Sequence, residues 1–369
     1  METSKHIFYY NLDRFFNIHR KTISDIFTDA MKDGQYLQGN ETNELEKKLA
    51  GFTNRNHTIT CGSGTDALFF ALKSLAINGD DEILVPAFSF ISTATAITRA
   101  GATPIFTDID PGNGLMDLND AKHKITSKTK AILFVDLYGN MPDGNTLETF
   151  AKTHKLYLIE DAAQAIGSER DGKKAGSLGD ISIFSFDPTK PIHAFGTGGA
   201  ILTDDKKIAD YCKAARQNGK NPKTGQYDQF GINSRISESQ TALIHWQLKT
   251  IDSQLSKRKT LANHYKSKLK NLPLETMVSE QFHYTGNFHK FVIQTKHRDV
   301  LKQLLAKHGI ETRIHYGKCL YEHRVLSDYH SHCPNAETLA NEVLSLPFYP
   351  ELSIAEIDYI CEHIKHYYS

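Results

Sequence analysis

The sequence predicts an α/β fold in which a large, mostly parallel sheet is followed by a smaller α+β unit. Two observations carry this. Short, continuous apolar runs, such as 131–137 (AILFVDL) and 156–159 (LYLI), alternate with segments of helical spacing. Runs without polar alternation mark strands covered on both faces. The texture then changes near residue 235, where a long helical stretch leads into a segment with fewer strands. A chain of 369 residues also exceeds what one hydrophobic core usually holds. The chain is therefore expected to divide into a large domain over 1–245, with a helical lead-in, and a small C-terminal domain over 246–369.

The elements follow in order. Residues 1–60 form a polar helical lead-in punctuated by Gly34, Gly39 and Gly51, and Leu45, Leu49 and Phe52 share one face over 41–52. A helix is expected over 65–76, then a short buried strand over 82–85 stopped by Pro86. A helix over 89–100 and a strand over 104–109 come next. The apolar strands 131–137 and 156–159 flank a helix over 143–154, and strands 181–186 and 200–203 complete the large unit. Beyond it, the spacing predicts helix over about 238–269, strands over 291–295 and 312–315, and helices over 300–308, 336–344 and 355–366.

Composition narrows the partners. Lys plus Arg equals Asp plus Glu, so the formal net charge is zero, which argues against nucleic acid or an anionic membrane. No apolar run is long enough to span a bilayer, and METSKHIFYYNLDRFF lacks a signal-peptide core. The five cysteines are scattered without a C-x-x-C pair, as expected for free thiols in a reducing cytoplasm. Tyr329-His330-Ser331-His332-Cys333 contains ligand-type residues, but no second group at metal spacing accompanies it. It is expected to be a solvated turn before Pro334. The lone Trp246 is expected in a core or a subunit interface.

Three segments carry chemistry. Cys61-Gly62-Ser63-Gly64-Thr65-Asp66 is a small, glycine-containing turn before a helix, suited either to an anion or to simple helix capping. It does not match the nucleotide P-loop pattern. Asp161, in Leu158-Ile159-Glu160-Asp161, ends a buried strand at the sheet edge where open α/β folds bind ligands. A carboxylate there can pair with a protonated ring nitrogen, or cap the next helix. Ser185-Phe186-Asp187-Pro188-Thr189-Lys190 delivers a lysine to that edge, ahead of the turn Gly196-Thr197-Gly198-Gly199. Partial burial would lower the lysine's pKa and suit it to Schiff-base formation; a solvated surface lysine is the plainer alternative.

In this order, GSGTDAL, VPAFSFISTATAI, EDAAQAIGS, GSLGDISIFSFDPTK, GTGGAI, GINSR and SLPFYP resemble the DegT/DnrJ/EryC1/StrS family of sugar aminotransferases. The resemblance runs from about residue 30 to the C-terminus. It implies the aspartate-aminotransferase-like fold type I of enzymes that use pyridoxal 5′-phosphate (PLP). By matching motif, Lys190 resembles the lysine that carries the cofactor and Asp161 the carboxylate on its ring nitrogen. Gln164 resembles a residue beside the ring, and Phe90 the aromatic stacked on it. Gly64, Thr65 and Ser185 match phosphate-binding positions. Asn233 matches an asparagine reaching the phosphate of the other subunit, which implies a homodimer with shared sites. Tyr36, Arg235 and His315 fall where substrate contacts are expected.

The implied activity is transfer of an amino group from L-glutamate to a nucleoside-diphosphate-linked keto sugar, foremost a dTDP-linked keto-6-deoxyhexose. The product would serve surface polysaccharide or antibiotic glycosides. Members with histidine at the lysine position are dehydratases, and Lys190 argues against that outcome. A non-catalytic regulator on the same fold is the other alternative. The chain departs from the family at His193-Ala194-Phe195, where relatives have Asn-Leu-Gly-like residues. It also departs after His315-Tyr316, where Gly317-Lys318-Cys319 replaces a proline-rich stretch.

Overall fold

The computed structural model describes residues 6–277 and 284–369. A seven-stranded sheet organises the first part, in the order His57–Cys61, Gly199–Thr203, Ile181–Ser185, Tyr157–Asp161, Thr129–Val135, Glu82–Pro86 and Thr103–Thr107. Gly199–Thr203 runs antiparallel to both of its neighbours, and the remaining pairs are parallel. The ends of the six co-directional strands therefore meet the start of the seventh at one edge.

The continuous apolar runs have a direct cause. Ile83, Val85, Leu133, Val135, Ile181 and Ile183 point into one core, together with Phe70, Phe88 and Ile97. The alternate residues Leu84, Ile132, Phe134, Leu158 and Phe184 fill a second core with Leu45, Leu147 and Ile244. Successive side chains of a strand leave on opposite faces, so a sheet covered twice needs apolar residues at every position.

A three-stranded antiparallel sheet of Glu275–Thr276, Phe291–Gln294 and Val343–Leu346 organises the later part. Its core joins Tyr265, Phe291, Ile293, Leu344, Leu346, Ile357 and Ile360. Ile7 belongs to this core too, and its backbone pairs with Gly309 and Glu311. The chain's first described residues are thus fastened to its C-terminal half.

Several expectations are corrected. His57–Cys61 is an edge strand where a helical lead-in was expected. The stretch 238–269 is two helices, Glu238–Lys249 and Ile251–Leu269, broken at Thr250, whose N–H and Oγ1 both donate to the Gln247 carbonyl. The expected strand over 312–315 is absent among the described residues; only Arg313 bridges, to Ser345. The helix expected over 336–344 ends at Glu342, because Val343–Leu346 joins the sheet. Trp246 packs beside a small satellite core of Phe15, Ile23 and Leu243.

One ion pair ties the helix Leu12–Met31 to the first turn of Ile354–Tyr368. Arg14 donates to Glu356 through Nη1 at 2.9 Å and Nη2 at 2.6 Å, and Ser353 adds its N–H at 2.9 Å and Oγ at 2.8 Å. Burial works to raise the Glu356 pKa, but Arg14 and Ser353 outweigh it and bring it down to about 2. A depressed carboxylate pKa adds stability above its unfolded value and loses it as pH falls through the folded one. Arg14 is 34% exposed, so solvent screening trims the gain. Glu356→Gln is expected to lower stability by about 2 kcal/mol at neutral pH. About half of that difference should be gone by about pH 3 and most of it by about pH 2, as urea denaturation at neutral and acid pH would show.

Candidate active site

The loops leaving the common strand edge line one cavity of about 480 Å³. Strand register sets its first wall. Cys61 and Ser185 both lie opposite Gly199. This presses the turn after Cys61 onto the end of the Ser185 strand. A Cβ on Gly64 would stand 2.7 Å from that of Ser185, and one on Gly199 would stand 2.4 Å from the Ser63 carbonyl oxygen. Glycine is therefore needed at both positions for the backbones to approach. Ser63 caps the helix Gly64–Ser74 by accepting from the Asp66 N–H at 3.1 Å. The first-turn N–H groups of Gly64 and Thr65 have no acceptor within the helix, so they and the helix dipole are available to an anion. Thr65 Oγ1 lies 2.9 Å from Ser92 Oγ, and both residues line the cavity.

Asp161 forms the floor. It is buried; its Oδ2 accepts from Thr93 Oγ1 at 2.9 Å and its Oδ1 from the Ala163 N–H at 3.2 Å. Ser89 Oγ, 3.0 Å from Thr93 Oγ1, extends the chain of hydroxyls. Burial raises the Asp161 pKa, and Thr93, Ala163 and Lys190 only partly offset it. A cationic ring nitrogen would supply the charge that burial leaves wanting.

Lys190 stands on the loop after Ile181–Ser185. Its N–H donates to the Asp187 carbonyl at 2.9 Å, and Asp187 Oδ1 in turn accepts from Thr189 N–H at 3.0 Å and Oγ1 at 2.6 Å. This folds the loop so that Lys190 lines the cavity together with Asp161. Burial lowers the Lys190 pKa against the pull of Asp161 and Asp187. A lowered pKa enlarges the share of neutral amine, the form that attacks a carbonyl.

Phe90, 51% exposed, caps the helix Ile91–Ala100 at the cavity, its ring centroid 6.1 Å from that of Tyr316. Gln164 is buried; its Oε1 accepts from the Tyr138 N–H at 3.0 Å and its Nε2 donates to Tyr316 Oη at 3.3 Å. His315 Nδ1 is 2.9 Å from Ser345 Oγ. Burial, with Lys290, Lys190 and Arg313 nearby, lowers the His315 pKa to about 2, so its ring is neutral near pH 7.

Gly64, Thr65, Phe90, Asp161, Gln164, Ser185, Lys190 and His315 thus line one cavity. Tyr36, Asn233 and Arg235 do not line the cavity of their own chain. Tyr36 is 60% exposed, and the exposed Asn233 accepts through Oδ1 from Arg235 Nε at 3.1 Å. Sequence reasoning missed Thr93, Asp187, His289, Lys290 and Tyr316, which also line the cavity. His193, where the chain departs from the family, is buried in the loop beyond Lys190 and exchanges backbone hydrogen bonds with the Gln247 side chain.

The donor set fits PLP. The glycine-lined helix start suits its phosphate, Asp161 its ring nitrogen, Phe90 a ring face and Lys190 its aldehyde carbon.

Comparison with known proteins agrees. Residues 17–365 match the model of the DegT/DnrJ/EryC1/StrS aminotransferase family. The chain is 37% identical over 336 residues to an Acidithiobacillus ferrooxidans UDP-N-acetyl-3-dehydro-alpha-D-glucosamine 3-aminotransferase, covering 91% of this chain and 90% of that one. It is 35% identical over 354 residues to a Geobacillus stearothermophilus protein named as a pleiotropic regulatory protein, covering 94% of each. Its fold superimposes on S. venezuelae DesV, solved with a ketimine intermediate, with a TM-score of 0.95, 30% identity and 99% of each chain covered. By sequence, fold and the chemistry of its cavity, this chain belongs to the DegT/DnrJ/EryC1/StrS aminotransferase family and is a PLP-dependent aminotransferase.

Proposed function

We propose that the enzyme moves an amino group from L-glutamate to the ketone of a sugar carried on a nucleoside diphosphate, foremost a dTDP-linked keto-6-deoxyhexose. The observation that carries this is the convergence of Lys190, Asp161 and the Gly64–Thr65 helix start on one cavity. The A. ferrooxidans relative, named for a UDP-linked keto sugar, supports the substrate class.

When bound, PLP supplies a ring that accepts electron density from the substrate carbon being deprotonated. The protein's residues do the rest. Gly64, Thr65 and Ser185 hold the phosphate, and Asp161 keeps the ring nitrogen protonated. Phe90 covers one ring face, and Gln164, fixed by Tyr138 and Tyr316, borders the ring. Lys190 binds the cofactor in the resting enzyme. Once released, its Nζ moves the proton at the substrate carbon, in work of a kind worth about 10²–10⁴-fold in rate.

The enzyme acts as a homodimer with shared sites. Asn233 lies exposed outside its own chain's cavity, in a segment that also exposes Tyr227 and Phe230. From there it reaches the phosphate bound by the neighbouring subunit, with Arg235 and Tyr36 beside the sugar nucleotide and His315 facing it from within. The cavity draws on both proposed domains, since His289, Lys290, His315 and Tyr316 fall within 246–369. The five described cysteines are free and buried, in keeping with the cytoplasm, where an amino sugar for lipopolysaccharide O-antigen would be made.

Glutamate added alone to the purified holoenzyme should convert the lysine-bound cofactor stoichiometrically to its amine form and release 2-oxoglutarate. A keto-sugar nucleotide should then restore the starting absorbance. An enzyme whose spectrum responds to no common amino acid would overturn the proposal.

A further inference from the structure

The cavity contains a second lysine that the steps above do not use. Lys290 is 4% exposed and His289 2%, and both line the cavity with Lys190. Lys290 Nζ donates to Tyr10 Oη at 2.6 Å. An ammonium has three N–H donors, so two remain for a ligand. Neither ring nitrogen of His289 has a partner among the described residues. Asp187, the acid whose field acts on Lys290, is already engaged by Thr189.

Two lysines and two aspartates line the cavity; Asp161 is engaged by Thr93 and Ala163 and Asp187 by Thr189, so no carboxylate is bonded to Lys290 among the described residues. Among the described residues that line the cavity, Lys190 and Lys290 are the only lysines or arginines, and Lys190 is committed to the cofactor. Arg258, in the wall behind Tyr10, adds to the positive field. Burial, reinforced by Lys190 and Arg258, holds the Lys290 ammonium well below the ordinary lysine range. Burial thus disfavours the ammonium form, and a bound anion would favour it. This corner is distinct from the phosphate cradle. The cradle is built on the ends of His57–Cys61 and Ile181–Ser185, whereas Lys290 immediately precedes Phe291–Gln294 of the other sheet.

We propose that Lys290, oriented by Tyr10 and beside His289, binds a carboxylate of the amino-acid donor. The inference rests on the aminotransfer proposed above. Every amino-acid donor brings a carboxylate into this cavity in one half of the cycle. A nucleoside diphosphate is also anionic, but its bulk suits the open side at Phe90 better than a corner whose receiving side chains are almost wholly buried.

Glutarate, a dicarboxylate with no amine to transfer, is the probe. It is titrated into wild-type, Lys290→Gln and Lys290→Arg holoenzymes, with the absorbance of the bound cofactor followed. UDP and dTDP are titrated in parallel. Lys290→Gln should weaken glutarate by about ten- to a hundredfold, the loss expected for hydrogen bonds to a charged group. Lys290→Arg should recover most of it, and the nucleotides should bind as before. Should Lys290→Gln not fold, Tyr10→Phe, which removes the hydroxyl that orients the ammonium, should weaken glutarate to a lesser degree. Glutarate that binds the wild type no better than the variants overturns the inference. So does a loss confined to UDP and dTDP, which would give the lysine to the nucleotide. If glutarate binding depends on Lys290 yet no amino acid is ever deaminated, the aminotransfer reading fails and the carboxylate site stands.

Discussion

Lys190→Ala should fold normally, retain PLP only non-covalently, and lose turnover by about 10⁴-fold or more, the upper end of what a removed acid–base group alone accounts for. The fold should survive because the loop is shaped by the Lys190 N–H on Asp187 and by the Asp187–Thr189 contacts, all of which alanine leaves intact. Removing an amine that burial already disfavours in its charged form should not destabilise the protein. Chemistry should fail because no other amine in the lining is free for both tasks: Lys290 is held by Tyr10 at the far sheet. Lys190→Arg separates charge from reactivity. A guanidinium keeps the positive charge but stays protonated, so it neither attacks a carbonyl nor shuttles a proton. Both variants should therefore be inactive in a coupled assay of 2-oxoglutarate release. Activity near the wild-type level in either would refute the assignment.

The large sheet was legible because its physics is local. A strand covered on both faces is apolar along its covered length, and the runs 131–135 and 157–159 within the Thr129–Val135 and Tyr157–Asp161 strands announce themselves that way. His57–Cys61 was not legible. Its threonines break the apolar run, and it exists through pairing with Gly199–Thr203, distant in sequence. Residues 312–315 erred in the other direction: Thr312 and Ile314 suit a strand, but the segment instead carries His315 and Tyr316 into the cavity. At 343–346, VLSL suits a helix end and a strand equally, and the partner Phe291–Gln294 decides.

The site divides along the same line. Gly64, Thr65, Asp161, Ser185 and Lys190 follow strand ends closely, so a motif read along the chain finds them. Thr93 and Tyr10 matter only through partners far away in sequence, Asp161 and Lys290. His289-Lys290 offered one weak signal, a pair of polar residues directly before a buried strand. Nothing in the local pattern says that the strand begins beside Lys190.

Asp161→Asn should separate binding from catalysis. The amide oxygen can still accept from the Ala163 N–H, and the amide NH₂ in place of Oδ2 can donate to Thr93 Oγ1 once that hydroxyl turns to donate to Ser89 Oγ, so the local structure has little reason to change. In the cofactor-free protein the variant should be at least as stable as the wild type near pH 7, because burial has raised the Asp161 pKa and the ionised form is disfavoured there. The sign follows from linkage. A carboxylate with a raised folded pKa makes the folded state bind more protons, so the wild type gains stability as pH falls through that pKa. The stability advantage of the variant should therefore shrink toward acid pH. Cofactor should still bind through Lys190 and the phosphate cradle, while the ring nitrogen loses the charge that keeps it protonated. Breaking a buried ion pair from one side is worth about 3–5 kcal/mol. At 1.36 kcal/mol per tenfold, kcat should fall by about 10²- to 10⁴-fold while the KM values move little. Asp161→Glu keeps the charge but adds a methylene between Thr93 and the ring, so it should fall between the two. Steady-state kinetics with glutamate, set beside thermal denaturation of the apo forms at pH 5 and pH 8, would separate these effects. An Asp161→Asn enzyme with near-wild-type kcat would mean that some other group protonates the ring, and Asp161 would return to being a helix cap.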